Sequence, residues 1–183
     1  MRYQFFNDPA NVSVEVRTVG PREVMPNQPL IWDVLMENSS TIELSDFYFR
    51  AIMPYHAVRL ESINTGRFNQ SLRYSVMFRT NQVGEWRVAY DNLSSSTNND
   101  INMSGLALGL RNDERVTEIM FLFGTVREGF ASTVNPRIEG TVNSGLSNGY
   151  EFVLRVDAGG TTGNEWVVSN STWRSRVWTP NRR

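Results

Sequence analysis

The sequence predicts an all-β protein: an antiparallel β-sandwich, Ig-like or jelly-roll-like, with about ten strands and little or no helix. Three observations favour this fold class. Apolar and polar residues alternate with a period of two, turn residues interrupt these segments about every 8–12 residues, and no window of about 12 residues has clean helical periodicity. Period-two alternation gives each strand one apolar face, so the sheets are expected to pack face to face.

Alternation is clearest in Val12–Arg17, where valines occupy every second position. This is the pattern of a half-buried antiparallel strand. The remaining strand candidates are rich in β-branched and aromatic residues. They are Leu30–Glu37, Phe47–Ile52, Val58–Ile63, Leu72–Arg79, Glu85–Tyr90, Val116–Val126, Arg137–Val142, Tyr150–Asp157, Trp166–Val168 and Arg174–Trp178.

Glycine, proline and asparagine mark the connections between these strands. Gly20 with Pro21, Asn148 with Gly149, and Gly159 with Gly160 each supply a positive φ or a fixed proline φ, and both favour a turn. The leucine-rich segment Gly105–Leu110 is predicted to form no more than one turn of helix, because its glycines disfavour a longer one.

One sandwich is predicted for residues 1–183, because a chain of this length can bury roughly 70% of its unfolded surface without disulfide bonds. The polar tract 93–102 is the one long connection in mid-chain. It is interpreted either as a surface loop of a single sandwich or as a joint between two packed subdomains. Residues 179–183 follow the last apolar strand and are predicted to be a linker.

Composition excludes several classes of function. The net charge of -1 lacks the positive field that nucleic-acid binding requires. No cysteine is present and all 18 basic residues are arginine, which excludes disulfides, thiolate catalysis, Schiff-base chemistry and a Lys–Asn isopeptide crosslink. The longest apolar runs, such as Ile119–Phe123, are too short to insert into a membrane, and any export signal is expected outside this sequence.

Candidate catalytic residues are few, and the protein is predicted not to be an enzyme. His56 is the only histidine, and no nucleophile motif accompanies it, so it is interpreted as a corner residue between two strands. Acidic residues such as Glu61 and Glu118 fall in the polar phase of alternating strands, where pairing with arginine is the ordinary role. Paired carboxylates for glycoside hydrolysis remain the alternative.

Calcium is the one candidate metal, and no other cofactor is predicted. Asp157, Asn164 and Glu165 bracket a glycine-rich segment that offers carboxylate, amide and backbone oxygens, the ligands that a hard cation prefers. The alternative interpretation is a glycine-rich hairpin connection that holds no ion.

Three tryptophans are candidates for ligand binding. Trp166, Trp173 and Trp178 lie close together in sequence, and an exposed indole face can stack on a sugar ring. The alternative is that they are core residues that flank strands.

A series of short motifs in a fixed order spans nearly the whole chain. The motifs are Pro21–Val24, Glu37–Ser40, Leu44–Phe47, Ile52–Pro54, Ala57–Leu60, Thr65–Asn69, Tyr74–Asn81, Phe123–Phe130, Pro136–Ile138, Val156–Gly160, Glu165 with Trp166, and Trp173. Together they resemble the β-sandwich modules of Gram-positive cell-wall surface proteins, which include the conserved repeats of large adhesins and pilin-like chains.

The resemblance implies an extracellular, cell-surface module attached to the cell wall, a stalk or an adhesin domain without catalytic residues. Its partners would be neighbouring domains of the same surface protein and a glycan or protein ligand of the host or wall. Two other functions remain open: a carbohydrate-binding module or glycan-active accessory domain, and a structural protein of a phage or virion.

Overall fold

The computed structural model describes residues 11–180, which form fourteen β-strands and one single-turn helix. In chain order they are β1 (Val14–Val19), β2 (Glu23–Val24), β3 (Pro29–Asn38), β4 (Leu44–Ile52), β5 (Val58–Asn64), β6 (Arg67–Phe68), β7 (Arg73–Thr80), β8 (Arg87–Ser94), β9 (Asp100–Asn102), α1 (Gly105–Leu108), β10 (Val116–Val126), β11 (Ser132–Val134), β12 (Arg137–Val142), β13 (Glu151–Thr162) and β14 (Glu165–Val177). The all-β prediction is confirmed. The structure has fourteen strands instead of the predicted ten or so, because the sequence patterns did not reveal four strands of two or three residues, β2, β6, β9 and β11.

Two large sheets form the sandwich. One has five strands in the order β1-β3-β12-β5-β9, and the other has seven in the order β2-β14-β13-β4-β10-β7-β8. A small third sheet pairs β11 with β6. The paired strands are antiparallel except for β2, which runs parallel to β14. Within residues 11–180, no helix has the length and apolar character needed to cross a bilayer.

Alternation along the strands decides which side chains enter the core. In β3, Leu30, Trp32, Val34 and Met36 are all buried, and the residues between them are at least partly exposed. The same pattern in β4 buries Phe47, Phe49 and Ala51 from the opposite sheet. The two sets belong to one apolar core between the sheets.

Aromatic rings close one part of this core. Phe130 is fully buried, and its ring stacks on Phe68 with centroids 5.2 Å apart. It also meets Phe123 edge-on at 5.1 Å and Phe47 at 5.6 Å. The cluster therefore ties the β10–β11 connection and β6 to β4 and β10 of the seven-stranded sheet.

A long hairpin, β13–β14, differs from the sequence prediction. Gly159 and Gly160 were predicted to form a turn, but both lie inside β13, and the chain reverses at Gly163, whose φ is 61°. A Cβ on Gly159 would lie 2.6 Å from the backbone oxygen of Val167, so this glycine permits a close approach between strands. The segments predicted as two strands, Trp166–Val168 and Arg174–Trp178, fall at the two ends of the single strand β14, which stops at Val177.

The mid-chain tract 93–102 is bound to the strands around it. The amide of Phe68 donates to the carbonyl of Ser95 at 2.9 Å, and the amide of Asn99 donates to the hydroxyl of Thr65 at 2.9 Å. At the carboxyl end, the amide of Thr179 donates to Asn148 at 2.9 Å. The last residues of the predicted linker, 181–183, lie outside the described residues.

Candidate ligand-binding cleft

The outer face of the seven-stranded sheet, the side away from the core, carries unusually large exposed apolar groups. Leu122 is 41% exposed, Trp166 58% and Val168 50%. Val88, on the edge strand β8 opposite Met77 of β7, is 54% exposed. Of these residues, Leu122 and Trp166 line the same concavity, and grouped apolar surface marks interaction sites more often than isolated exposed residues do.

A row of alternating charges crosses the same face. Arg50 donates to both carboxylate oxygens of Asp157, from Nε at 3.0 Å and from Nη2 at 3.2 Å. On its other side it donates to Glu118 at 3.4 Å, and Glu118 also accepts from Arg79 at 2.8 Å. The row connects β13, β4, β10 and β7, so the sheet itself fixes these side chains in place. It confirms the prediction that Glu118 pairs with arginine.

Tyr48 lies beside this row and contacts Trp166. Its hydroxyl donates to Asp157 Oδ2 at 3.0 Å. Burial, followed by the negative charge of Asp157, raises the pKa of Tyr48 to about 12, so the phenol stays protonated at neutral pH. The ring meets Trp166 in a T-shaped arrangement with centroids 6.0 Å apart. The exposed indole is therefore held at one edge against a fixed phenol.

A cleft of about 570 Å³ on this face is lined in part by Tyr48, Arg50, Leu122 and Trp166. β10 is irregular beside the cleft: its register with β4 shifts on both sides of Gly124, which is one of the lining residues. Gly124 has a φ of 77°, and a Cβ there would meet no atom within 4 Å. The lining comprises Asp46, Phe47, Tyr48, Arg50, Met120, Leu122, Gly124 and Trp166.

The cleft offers two kinds of contact at once. Trp166 and Leu122 present apolar surface, while Arg50 and Asp46 present hydrogen-bonding groups. The charge of Arg50 is compensated by Asp157 and Glu118. A ligand with one apolar face and several hydroxyl groups matches this arrangement better than a strongly charged one does.

The three tryptophans predicted to bind ligand lie in three different environments. Trp166 belongs to the cleft. Trp173 is half-buried on the core side of β14, where its Nε1 donates to the carbonyl of Pro21 at 2.8 Å and the guanidinium of Arg22 lies 4.9 Å from its ring centre. Trp178 is 48% exposed and lines a second concavity of about 970 Å³ beside Met25, Leu146 and Pro180. The structure therefore does not bring the three together.

The three residues predicted to bind calcium are also separated. Asp157 lies within β13 and is engaged by Arg50 and Tyr48, whereas Asn164 and Glu165 lie at the tip of the hairpin. Asp157 pairs in register with Asn170, and Thr162 with Glu165, which places the carboxylates of Asp157 and Glu165 at distant points of the ladder. In residues 11–180, no three acidic or histidine side chains are grouped as metal ligands.

His56 lies where the sequence placed it, at the corner between β4 and β5. Its ring is exposed and packs on Tyr55 with centroids 4.1 Å apart. Sequence reasoning missed Tyr48, Arg50 and Asp46 as site residues. Their even-numbered spacing on one strand was the available signal, since it places all three on the same face.

Comparison with known proteins adds a likeness of fold. No family model and no curated protein matches this chain. Among solved structures, the seventh ScaB type I cohesin from Pseudobacteroides cellulosolvens is 12% identical, with 91% of this chain and 94% of that chain covered and a TM-score of 0.42. The collagen-binding domain from a Staphylococcus aureus adhesin is 11% identical, with 90% and 97% covered and a TM-score of 0.37.

An enzyme has the same degree of likeness. AvmM, which catalyzes macrocyclization in alchivemycin A biosynthesis, is 10% identical, with 94% of this chain and 92% of that chain covered and a TM-score of 0.42. At such identities and TM-scores, none of these likenesses assigns a function to this chain.

Proposed function

We propose that this protein is a non-catalytic adhesive module of a bacterial cell surface, and that it holds a glycan in the cleft lined by Tyr48, Arg50 and Trp166. The observation that carries the proposal is the half-exposed indole of Trp166 beside hydrogen-bonding groups that the sheet holds rigid. A pyranose ring has an apolar C–H face that stacks on indole and an equatorial rim of hydroxyls that bond to polar side chains.

A glycan fits the cleft in size and in charge. A volume of about 570 Å³ lies within the range of small-ligand sites, which is roughly 300–1,000 Å³. Because Arg50 is neutralised by two carboxylates, the cleft provides donors and acceptors without a large net charge. A neutral saccharide is therefore the favoured ligand.

The hydrogen bonds of the two carboxylates beside the cleft, Asp157 and Glu118, support a non-catalytic role for this protein. Asp157 accepts from Nε and Nη2 of Arg50 and from the Tyr48 hydroxyl, and Glu118 accepts from Arg50 and Arg79. Neither carboxylate is among the residues that line the cleft, whereas a general acid must lie within hydrogen-bonding reach of the ligand. Both groups therefore serve as acceptors that hold Arg50 and Tyr48 in place.

Truncation of Trp166 to alanine is expected to weaken glycan binding about 30-fold, because loss of a central Trp contact costs about 2 kcal/mol. A glycan array would identify a ligand, and calorimetry would then compare the wild type with Trp166→Ala. Trp178→Ala is the matched control, since Trp178 is similarly exposed but lies in the second concavity. Equal affinities for the wild type and Trp166→Ala would contradict the proposal, as would shortened saccharides after long incubation.

The location and the stalk role are part of the same proposal. The resemblance to wall-attached modules supports an extracellular position. The amide of Asn11 donates to Thr41 at 3.0 Å, beside the start of β4, while Thr179 bonds to Asn148 beyond the end of β14, at the opposite end of the seven-stranded sheet. Asn11 and Thr179 thus lie at opposite ends of the sandwich, a geometry that suits domains strung in series.

A further inference from the structure

Asp46 occupies an irregular position in the middle of the seven-stranded sheet. Around it β4 has one residue more than either neighbour: Ser45 to Tyr48 is one residue longer than the paired segment of β13, and Leu44 to Phe47 is one residue longer than that of β10. The extra residue forms a bulge, at which Ser45 and Asp46 are exposed in succession. Bulges beside functional sites re-aim a side chain, and Asp46 is one of the residues that line the cleft.

The backbone at Asp46 favours glycine. Its φ is 51°, in the left-handed region that glycine adopts without strain and that a residue with a Cβ adopts at a cost. Aspartate offsets this cost where its carboxylate bonds to a nearby backbone amide. Among the described residues, no backbone amide donates to the Asp46 carboxylate, whose one hydrogen bond comes from a side chain. The local structure therefore gives no reason for aspartate in place of glycine.

The Asp46 carboxylate also lacks a strong partner within the fold. Thr161 Oγ1 lies 3.5 Å from Oδ2, but this hydroxyl also lies 3.2 Å from the carbonyl of Ser45 and has one proton to donate. No arginine of residues 11–180 forms an ion pair with Asp46. Arg50, the other charged residue of the lining, is already engaged by two carboxylates. Asp46 therefore keeps its negative charge and most of its acceptor capacity for a ligand.

We propose that Asp46 determines which sugars the cleft accepts, an inference that rests on the proposed glycan function. Its carboxylate accepts hydrogen bonds from two adjacent free hydroxyls of the sugar that stacks on Trp166. An ionised carboxylate only accepts hydrogen bonds, so the ligand must present O–H groups at this position. A sugar with a carboxylate or sulfate there would instead bring two like charges together, which excludes it.

Replacement of Asp46 by glycine separates the carboxylate from the backbone that carries it. Because glycine adopts a φ of 51° without strain, Asp46→Gly is expected to melt close to the wild-type temperature. The probe is an array that displays neutral glycans beside their sialylated and sulfated counterparts. Asp46→Gly is expected to bind the neutral glycans at least about tenfold more weakly than the wild type, because hydrogen bonds to a charged group are lost.

Asn92→Gly is the matched control. Asn92 has a φ of 55° at a similar extra residue in the edge strand β8, and it does not line the cleft. The control makes the same kind of backbone change at a bulge and should bind every glycan as the wild type does.

Asp46→Asn provides the second measurement. Asparagine keeps the size of the side chain and tolerates the left-handed backbone, but it has no charge and adds an N–H donor. The ratio of the affinity for a neutral glycan to that for its acidic counterpart is therefore expected to fall about tenfold. A residue that only shapes the bulge would leave this ratio unchanged.

The outcomes separate this inference from the function on which it rests. Equal binding by the wild type and Asp46→Gly, together with a loss for Trp166→Ala, would overturn the role of Asp46 and leave the glycan site in place. An unchanged neutral-to-acidic ratio in Asp46→Asn would overturn that role as well. If the wild type bound no glycan on the array, both proposals would fail.

Discussion

Replacement of Phe130 by alanine is expected to lower the free energy of unfolding by about 4 kcal/mol. The ring is fully buried and meets three other phenylalanine rings, so its removal leaves a cavity that the surrounding strands cannot fill. The backbone there is fixed as well: the amide of Asn38 donates to the carbonyl of Phe130 at 2.7 Å, and Gly129 adopts a φ of 75°. Collapse of the site is therefore limited.

Urea unfolding followed by tryptophan fluorescence measures this loss. Tyr90→Ala is the control, because Tyr90 is 50% exposed and its truncation removes little buried surface. If Phe130→Ala lowered the free energy of unfolding by less than about 1 kcal/mol, the aromatic cluster would not be a main contact between the small sheet and the sandwich.

Replacement of Glu114 by glutamine is expected to cost about 3 kcal/mol, in the range for one member of a buried ion pair. The carboxylate is nearly inaccessible, with 2% of its side chain exposed, and forms an ion pair with Arg87. It also accepts from the hydroxyl of Thr80 at 2.6 Å and from the amide of Arg111 at 3.0 Å. An amide nitrogen in place of Oε2 would face donors from Thr80 and Arg87, so buried groups would be left unpaired.

The same contacts predict how stability depends on pH. Hydrogen bonds from Thr80 and the Arg111 amide, together with Arg87, lower the pKa of Glu114 from 4.5 to about 2. Because the pKa is lower in the folded state, the stabilisation is present above about pH 4.5 and is lost as the pH falls towards about 2. The difference in melting temperature between wild type and Glu114→Gln should therefore shrink over this interval.

The neighbouring carboxylate provides the control for both measurements. Asp113 is exposed, and Asp113→Asn is expected to leave the melting temperature almost unchanged at every pH. A Glu114→Gln difference that stays constant from neutral to acidic pH would show that the charge of Glu114 contributes nothing to stability.

Alternation predicted most of the sandwich because burial enforces it. Strands with one face in the core, such as β3 and β4, were recognised from their buried residues alone. The middle of β14 was missed because Ser169–Thr172 lies at an edge, where neither face requires a run of apolar side chains. The turn predicted at Gly159 was wrong for another cause. Glycine marks turns, but it also marks places where two backbones approach closely, and Gly159 lies at such a place.

The site was less predictable than the fold. Its residue type predicted that Trp166 binds ligand, and its closeness in sequence to Trp173 predicted that the two act together. Successive positions on a strand alternate between faces, so the two tryptophans, seven positions apart, point to opposite sides of the sheet. Tyr48 and Asp157 are 109 positions apart, and only the pairing of β4 with β13 brings them within hydrogen-bonding distance. Such a pairing depends on topology, which residue patterns do not specify.

The fold explains how the proposed binding surface is held in place without a deep pocket. The ion-pair row crosses four adjacent strands, so its geometry is set by backbone ladders instead of mobile loops. Gly124, where β10 is irregular, lines the concavity, and the β13–β14 hairpin contributes the indole of Trp166. Rigid side chains lose little entropy on binding, which favours recognition of small polar ligands.

Chemical-shift mapping of the full chain with a glycan identified on the array locates the bound ligand directly. The indole N–H of Trp166 and the amides of Tyr48, Leu122 and Gly124 are expected to shift together and to saturate with one affinity. Shifts confined to Trp178 and its neighbours in the second concavity, with the cleft unchanged, would contradict binding in the cleft.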